Sequence, residues 1–264
     1  MTAESALSGQ VMFYRQPEPL SIEKHRGLGI KRIDKPFQFL LDAHVVPITV
    51  NEFGIAAGTF PIIFAGPNKT PLAVMGARTG ENVFVSPAGD VDPEAYLPAF
   101  ARRYPFVFAA DTSGDRLVLC IDRAAPMIGD NPEVPLFNGN EPSQYTAEAM
   151  EFCKEFERHR RTTESFIALI GDMNLFEQKT VSITNRLPDG REEQQTIAEY
   201  FAIDEEKLTN LPNDQFLRLK DNGALGPTSA HMVSLLQWPK IIQRAMYRFQ
   251  GQQDGQARTN TPLG

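Results

Sequence analysis

Between residues 60 and 122, short apolar and β-branched runs alternate with Gly, Pro and Asn separators. Residues 60–65 (FPIIFA), 71–76 (PLAVMG) and 82–86 (NVFVS) read as three strands of a meander, divided by turns at 66–68 and 78–81. Residues 106–110 and 116–122 read as a hairpin around 111–115. Between them, 92–104 predicts an inserted helix, with Pro93 suited to its first position. Upstream, 28–50 reads as extended, and Pro47 confines its stretch to a sheet edge because proline cannot donate to a ladder. Thr49 and Glu52 stand at capping-box spacing before a short helix over 53–57, and Gly58 is placed for a left-handed exit.

The second half changes period. Residues 123–142 carry Pro126, Pro132, Pro135 and Pro142 and read as a loop and a subdomain boundary. Residues 147–172 repeat apolar positions at helical spacing, with a charged face over 157–161. Strands at 180–185 and 195–201 flank Asp189-Gly190, a strong hairpin signal. Helical turns follow at 204–208 and 213–220, then a last helix over 228–249 that Pro239 must kink or split. The predicted class is α+β: a mostly antiparallel sheet with an inserted helix, then a helix-rich C-terminal part containing one β-hairpin. The predicted organisation is a flexible segment 1–20, a β-rich core 21–125, a helix-rich half 126–248 packed with it, and a disordered tail 249–264.

Composition narrows the function classes. The chain has 264 residues, 42% of them apolar and 22% charged, which suits a core that needs no staples. A formal net charge of -7 argues against nucleic acid and anionic membrane surfaces as partners. Cys120 and Cys153 stand alone, as core thiols of a reducing compartment do. The N-terminus shows no export-signal pattern, and no stretch supplies the roughly 20 apolar residues of a membrane span. A cytoplasmic protein without direct membrane insertion is the expectation.

Familiar catalytic and nucleotide motifs are missing, and His25, His44, His159 and His231 lack metal-ligand spacing. No cofactor and no metal are expected. Three constellations remain. Glu52 sits in an apolar run and is either a proton carrier with a burial-raised pKa or the acid of the capping box. Arg102, Arg103 and Tyr104 form either a carboxylate clamp or cations complementing a helix C-terminus. Arg78 and Asn82 border a turn that is either a ligand loop or plain hairpin chemistry.

The order of segments FPIIFAG, PLAVMGARTGENVFV, YLPAFARRYPFVFA, LVLCID and PLFNGN, continued by TTESFIALI, LTNLPNDQFLRLKDNGAL and SAHMVSLLQWPKIIQR, resembles the bacterial SapC family over about 20–248. RRYPF and HMVSLLQW carry most of the likeness. The resemblance implies a setting rather than an activity. The family takes its name from a surface-layer gene cluster, and its members lie near outer-membrane receptors and halogenase-like flavoproteins. An unrelated peptide-transporter permease shares the name but needs spans that this chain lacks.

The leading expectation is therefore a non-enzymatic soluble accessory protein. It binds a protein or peptide partner in a bacterial envelope, surface-layer or nutrient-uptake system, through Arg78, Asn82, Arg102, Arg103 and Tyr104. The alternative is an enzyme with a dispersed site beside redox or halogenase-like proteins, with Glu52 as acid/base and Arg102 or Arg103 as clamp. A purely structural subunit, recognisable by a broad exposed apolar patch, is a third expectation. Oligomeric state is left open.

Overall fold

The computed structural model describes residues 11–110, 117–186 and 191–259. Its strands, in chain order, are β1 (Pro17–Pro19), β2 (Leu28–Ile30), β3 (Val45–Pro47), β4 (Ile62–Ala65), β5 (Thr70–Val74), β6 (Phe106–Ala110), β7 (Leu117–Asp122), β8 (Ile128–Asp130), β9 (Val134–Pro135), β10 (Phe137–Asn138), β11 (Glu141–Pro142), β12 (Phe176–Arg186) and β13 (Glu192–Ile203). The helices are α1 (Ile22–His25), α2 (Phe53–Ala56), α3 (Ala99–Arg102), α4 (Gln144–Asp172), α5 (Glu205–Thr209), α6 (Asn213–Asp221), α7 (Leu225–Ser234) and α8 (Trp238–Thr259). This is the α+β class, with antiparallel pairing throughout the registers below.

The largest sheet runs β12-β13-β4-β5-β3. Apolar β4 (IIFA) is nearly all buried at its centre, and Pro47 lies on β3, the edge, where its missing N–H costs no bond. The 195–201 strand joins β4 only through Phe201 opposite Phe64, so most of the β12–β13 hairpin pairs with itself. A second sheet runs β1-β7-β6, and a third, β8-β2-β9, is built from two-to-three-residue strands.

Two cores result. One gathers Phe53, Phe60, Phe64, Met75 and Ile203 with Phe166 and Ile170 of α4. The other gathers Leu28, Phe106, Ile121 and Leu136 with Cys153 near the start of α4. Helix α4 therefore spans both. It starts at Ser143, whose hydroxyl accepts the Thr146 N–H, and its C-terminal half buries one apolar stripe. Because β13, from the helix-rich half, extends a sheet of the first half, position 126 does not part the large core.

Several predicted elements differ. The third meander strand, 82–86, is absent as a strand; one bridge, Val85 to Val91, stands in its place. Asn82 is the reason: its Oδ1 accepts the Phe84 N–H at 2.9 Å and its Nδ2 donates to the Leu40 carbonyl at 3.0 Å, which turns the chain out of the ladder. The helix predicted over 92–104 is the single turn α3. Asp92 caps the Glu94 N–H locally, and Pro98 both excludes Leu97 from the helical region and sits extended itself, at φ -54 and ψ 142. Gly58 is not left-handed; α2 closes on Ala57 in the right-handed region. Residues 11–19 are not loose, since Tyr14 is buried and β1 pairs with β7. The proline-rich 123–142 stretch is ordered into β8 to β11, two of which flank β2. Pro239 falls at the start of α8, after a 3-10 turn over Leu235–Gln237, so the predicted helix splits there. The helix then continues to Thr259, into the stretch predicted as disordered tail. The turns at 111–116 and 187–190 lie outside the described residues.

Candidate functional site

Glu52 is built into a socket. Its Oε2 accepts the Thr49 N–H at 2.9 Å and the Thr49 hydroxyl at 2.7 Å. Its Oε1 accepts the Tyr96 hydroxyl at 2.9 Å and the Ala99 N–H at 2.7 Å. Burial first, then the Glu52 charge, push the Tyr96 phenol up to about 12, so it remains a donor. The carboxylate thus closes the capping box and also caps the chain at α3. With four donors on two oxygens, no lone pair faces a substrate, and the acid/base assignment of Glu52 is corrected to a structural one.

The turn residues do not form a ligand loop with the arginine pair. Arg78 is exposed, whereas Asn82 is fully buried with both ends of its amide bonded to backbone. The turn is held from below: the Met75 and Gly76 N–H groups share the His44 carbonyl, and a Cβ on Gly76 would lie 1.7 Å from the Glu81 carbonyl oxygen. Arg78 lines neither cavity that Arg103 lines.

Arg102 and Arg103, adjacent in sequence, part company. Arg102 is exposed; its Nε donates to the Leu97 carbonyl at 3.0 Å and Nη2 to the Tyr96 hydroxyl at 3.1 Å. Tyr104 donates to Asp122 at 3.3 Å, and burial followed by the Asp122 charge drives its phenol pKa well up. Asp122, which the sequence pattern does not single out, is a second carboxylate socket, accepting also the N–H groups of Arg15, Gln16 and Ala124. It ties the N-terminal segment to the end of β7.

Arg103 is different. It is 7% exposed, its guanidinium carbon lies 4.2 Å from the Phe100 ring centroid and 4.4 Å from that of Phe156, and its Nε has no hydrogen-bond partner. Among the described residues no ion pair reaches it. It contributes to the wall of a 640 Å³ cleft between α4, β6 and the β3–β5 edge, and of a 240 Å³ hollow that Arg102 and Tyr104 share. Hollows of 690 and 670 Å³ are larger, but charged side chains there, such as Arg15, Asp42, Arg158 and Arg161, are exposed to water. Three of the five predicted binding residues, Arg102, Arg103 and Tyr104, therefore meet at one place.

The SapC family model matches residues 20–241, most of the chain. The chain belongs to the SapC family. No curated protein and no solved structure matches it.

The two blocks that carry the SapC likeness have different work. HMVSLLQW is a set of stitches. His231 Nε2 accepts the Ile203 N–H at 3.1 Å, Ser234 Oγ accepts the Ile62 N–H at 2.9 Å, and Trp238 Nε1 donates to the Tyr200 hydroxyl at 3.2 Å. Spaced i, i+3 and i+7, they fasten one helical face to β4 and β13. Burial lowers the His231 pKa to about 4, with the Ile62 backbone opposing, so this SapC histidine is neutral. RRYPF instead supplies the buried cation of the cleft. Among the described residues, no group of three or more His, Cys, Asp and Glu side chains is placed to hold a metal, and no helix is long and apolar enough to cross a membrane.

Proposed function

We propose that this protein is a non-enzymatic accessory protein of the cytoplasm. It holds a protein or peptide partner belonging to a bacterial envelope, surface-layer or nutrient-uptake system. The observation that supports this reading is Arg103: a guanidinium withdrawn from water, paired with no acid among the described residues, in the wall of a cleft with apolar sides. Interior charges stay buried when something pairs with them. The acid/base alternative loses its carboxylate, because Glu52 is consumed by backbone and hydroxyl donors. Membership in SapC supports the envelope setting.

The test is affinity capture from native lysate with the full chain and with Arg103→Met as parallel baits, after unfolding curves show both are folded. A defined partner held in stoichiometric amount by the first and lost from the second is the expected result. Equal retention by both, or turnover of a metabolite by the purified protein, overturns the reading.

A further inference from the structure

The surroundings of Arg103 restrict what can sit against it. Phe100 and Phe156 lie at 4.2 and 4.4 Å and Tyr14 at 6.0 Å, so ring systems crowd the guanidinium and leave its in-plane N–H edge as the direction for an acceptor. Among the described residues, the neighbours that might supply a negative charge are spoken for. The Tyr14 hydroxyl donates to the Phe106 carbonyl at 2.5 Å, and burial drives its pKa well up. Burial pushes the Cys153 thiol up to about 11, the Arg103 charge opposing. Glu157, on the rim of the cleft, is bound by Arg160 at 2.7 Å.

Magnitudes then decide. Holding one charge out of water costs several kcal/mol and the unpartnered Nε–H about 1–3 kcal/mol more, while the Phe100 and Phe156 contacts return about 2 kcal/mol each. The rings alone do not balance the burial; an anion from outside does. Its body is set by the cleft, whose apolar lining includes Val11, Ile48, Pro71, Val107, Phe108 and Ile167. A volume of 640 Å³ falls inside the range of small-ligand sites, roughly 300–1,000 Å³. Its charge is set by the rim, where Glu157 and Glu164 share the single Arg160. That surplus of acid repels a phosphate or a dicarboxylate more than a single carboxylate.

We infer that the cleft between α4, β6 and the β3–β5 edge binds the carboxylate of an apolar acid, with its oxygens on the edge of the Arg103 guanidinium and its hydrocarbon body along Ile48, Val107 and Ile167. This rests on the reading of the cleft as a partner site. The same chemistry has two sources, the carboxyl end of a partner polypeptide that finishes in large apolar residues, or a free aryl-alkyl acid.

Titration calorimetry on the full chain separates them. One arm uses an N-acetylated apolar tripeptide with a phenylalanine carboxyl end, and the other 4-phenylbutyrate; each is paired with its carboxamide. The expected result is that at least one acid binds, that its carboxamide binds on the order of 10- to 100-fold more weakly, and that Arg103→Met loses the same factor. Arg103→Lys, which keeps the charge but not the fork, falls between, and guards against a folding defect in Arg103→Met. Acid and carboxamide binding equally, or Arg103→Met binding as well as the natural chain, overturns the inference. So does a larger loss from Arg160→Gln than from Arg103→Met, because the carboxylate then sits on the rim. If phenylbutyrate binds and the peptide does not, the inference stands and the polypeptide-partner reading falls. If neither acid binds while captured partner is still lost with Arg103→Met, the partner reading stands and this inference falls.

Discussion

Two ionisable side chains of the interior, Glu52 at 6% exposure and Arg103 at 7%, sit in opposite surroundings. Glu52 draws donors from Thr49, Tyr96 and Ala99, so each of its oxygens is doubly engaged. Arg103 is packed by rings and its Nε bonds nothing. Burial is therefore a poor guide to function, while the inventory of partners is a good one. A charge that the fold has equipped with donors is part of the scaffold; a charge that it has left without a counter-ion is open to a visitor. Asp122, fully buried with four donors, falls on the Glu52 side of that line.

The comparison predicts unequal costs of removal. Glu52→Ala strands buried donors from 49, 96 and 99 and is expected to cost about 4 kcal/mol, read as a lowered urea midpoint at unchanged slope. Glu52→Gln keeps one acceptor and turns an amide N–H₂ on the remaining donors, so it recovers only part of the loss. A cost below about 1 kcal/mol for the alanine variant would erase the difference between the two sites.

His231 is a third kind of interior group, titratable and kept neutral. Its pKa falls from 6.5 to about 4, mainly by burial. Between those values the unfolded chain binds the proton and the folded chain does not, so stability falls as pH drops from about 6.5 toward 4, by about 3 kcal/mol in all. His44 and His159 shift in the same direction for the same first cause but are partly exposed, so solvent screens them. His231→Gln, whose amide oxygen still faces the Ile203 N–H, isolates the term: stability measured across pH 4.5–6.5 should flatten in that variant. An unchanged slope would mean the ring is not the group held neutral.

What the sequence made legible was local. The β4–β5 and β6–β7 pairs, α4 and the Thr49–Glu52 box are each written within a short window of periodicity and turn chemistry. The pairing of β13 with β4 and of β1 with β7 joins residues more than 100 positions apart, and no window contains it. The predicted third strand and the 92–104 helix failed on single residues, Asn82 and Pro98, that overrode a favourable apolar pattern. At the candidate site, RRYPF drew attention to both arginines without telling them apart. Successive helical positions point about 100° apart, so Arg102 faces water and Arg103 faces Phe156, and only the packing of α4 decides which is which.

The smallest expected change is the most telling one. Replacing Arg103 by Met removes a buried charge, keeps an unbranched apolar side chain of similar reach, and leaves no acid unpaired, since the described residues place none against it. The lost stacking on Phe100 and Phe156, about 2 kcal/mol each, opposes the recovered desolvation of an uncompensated ion and its unpartnered Nε–H. The recovered desolvation is at least as large, so the unfolding free energy of Arg103→Met should match that of the natural chain or exceed it. A ligand-binding residue can be stability-neutral in this way; a scaffold residue cannot. Should Arg103→Met instead lose as much as Glu52→Ala, the guanidinium would be holding the fold together, and the contrast between the two buried charges would be gone.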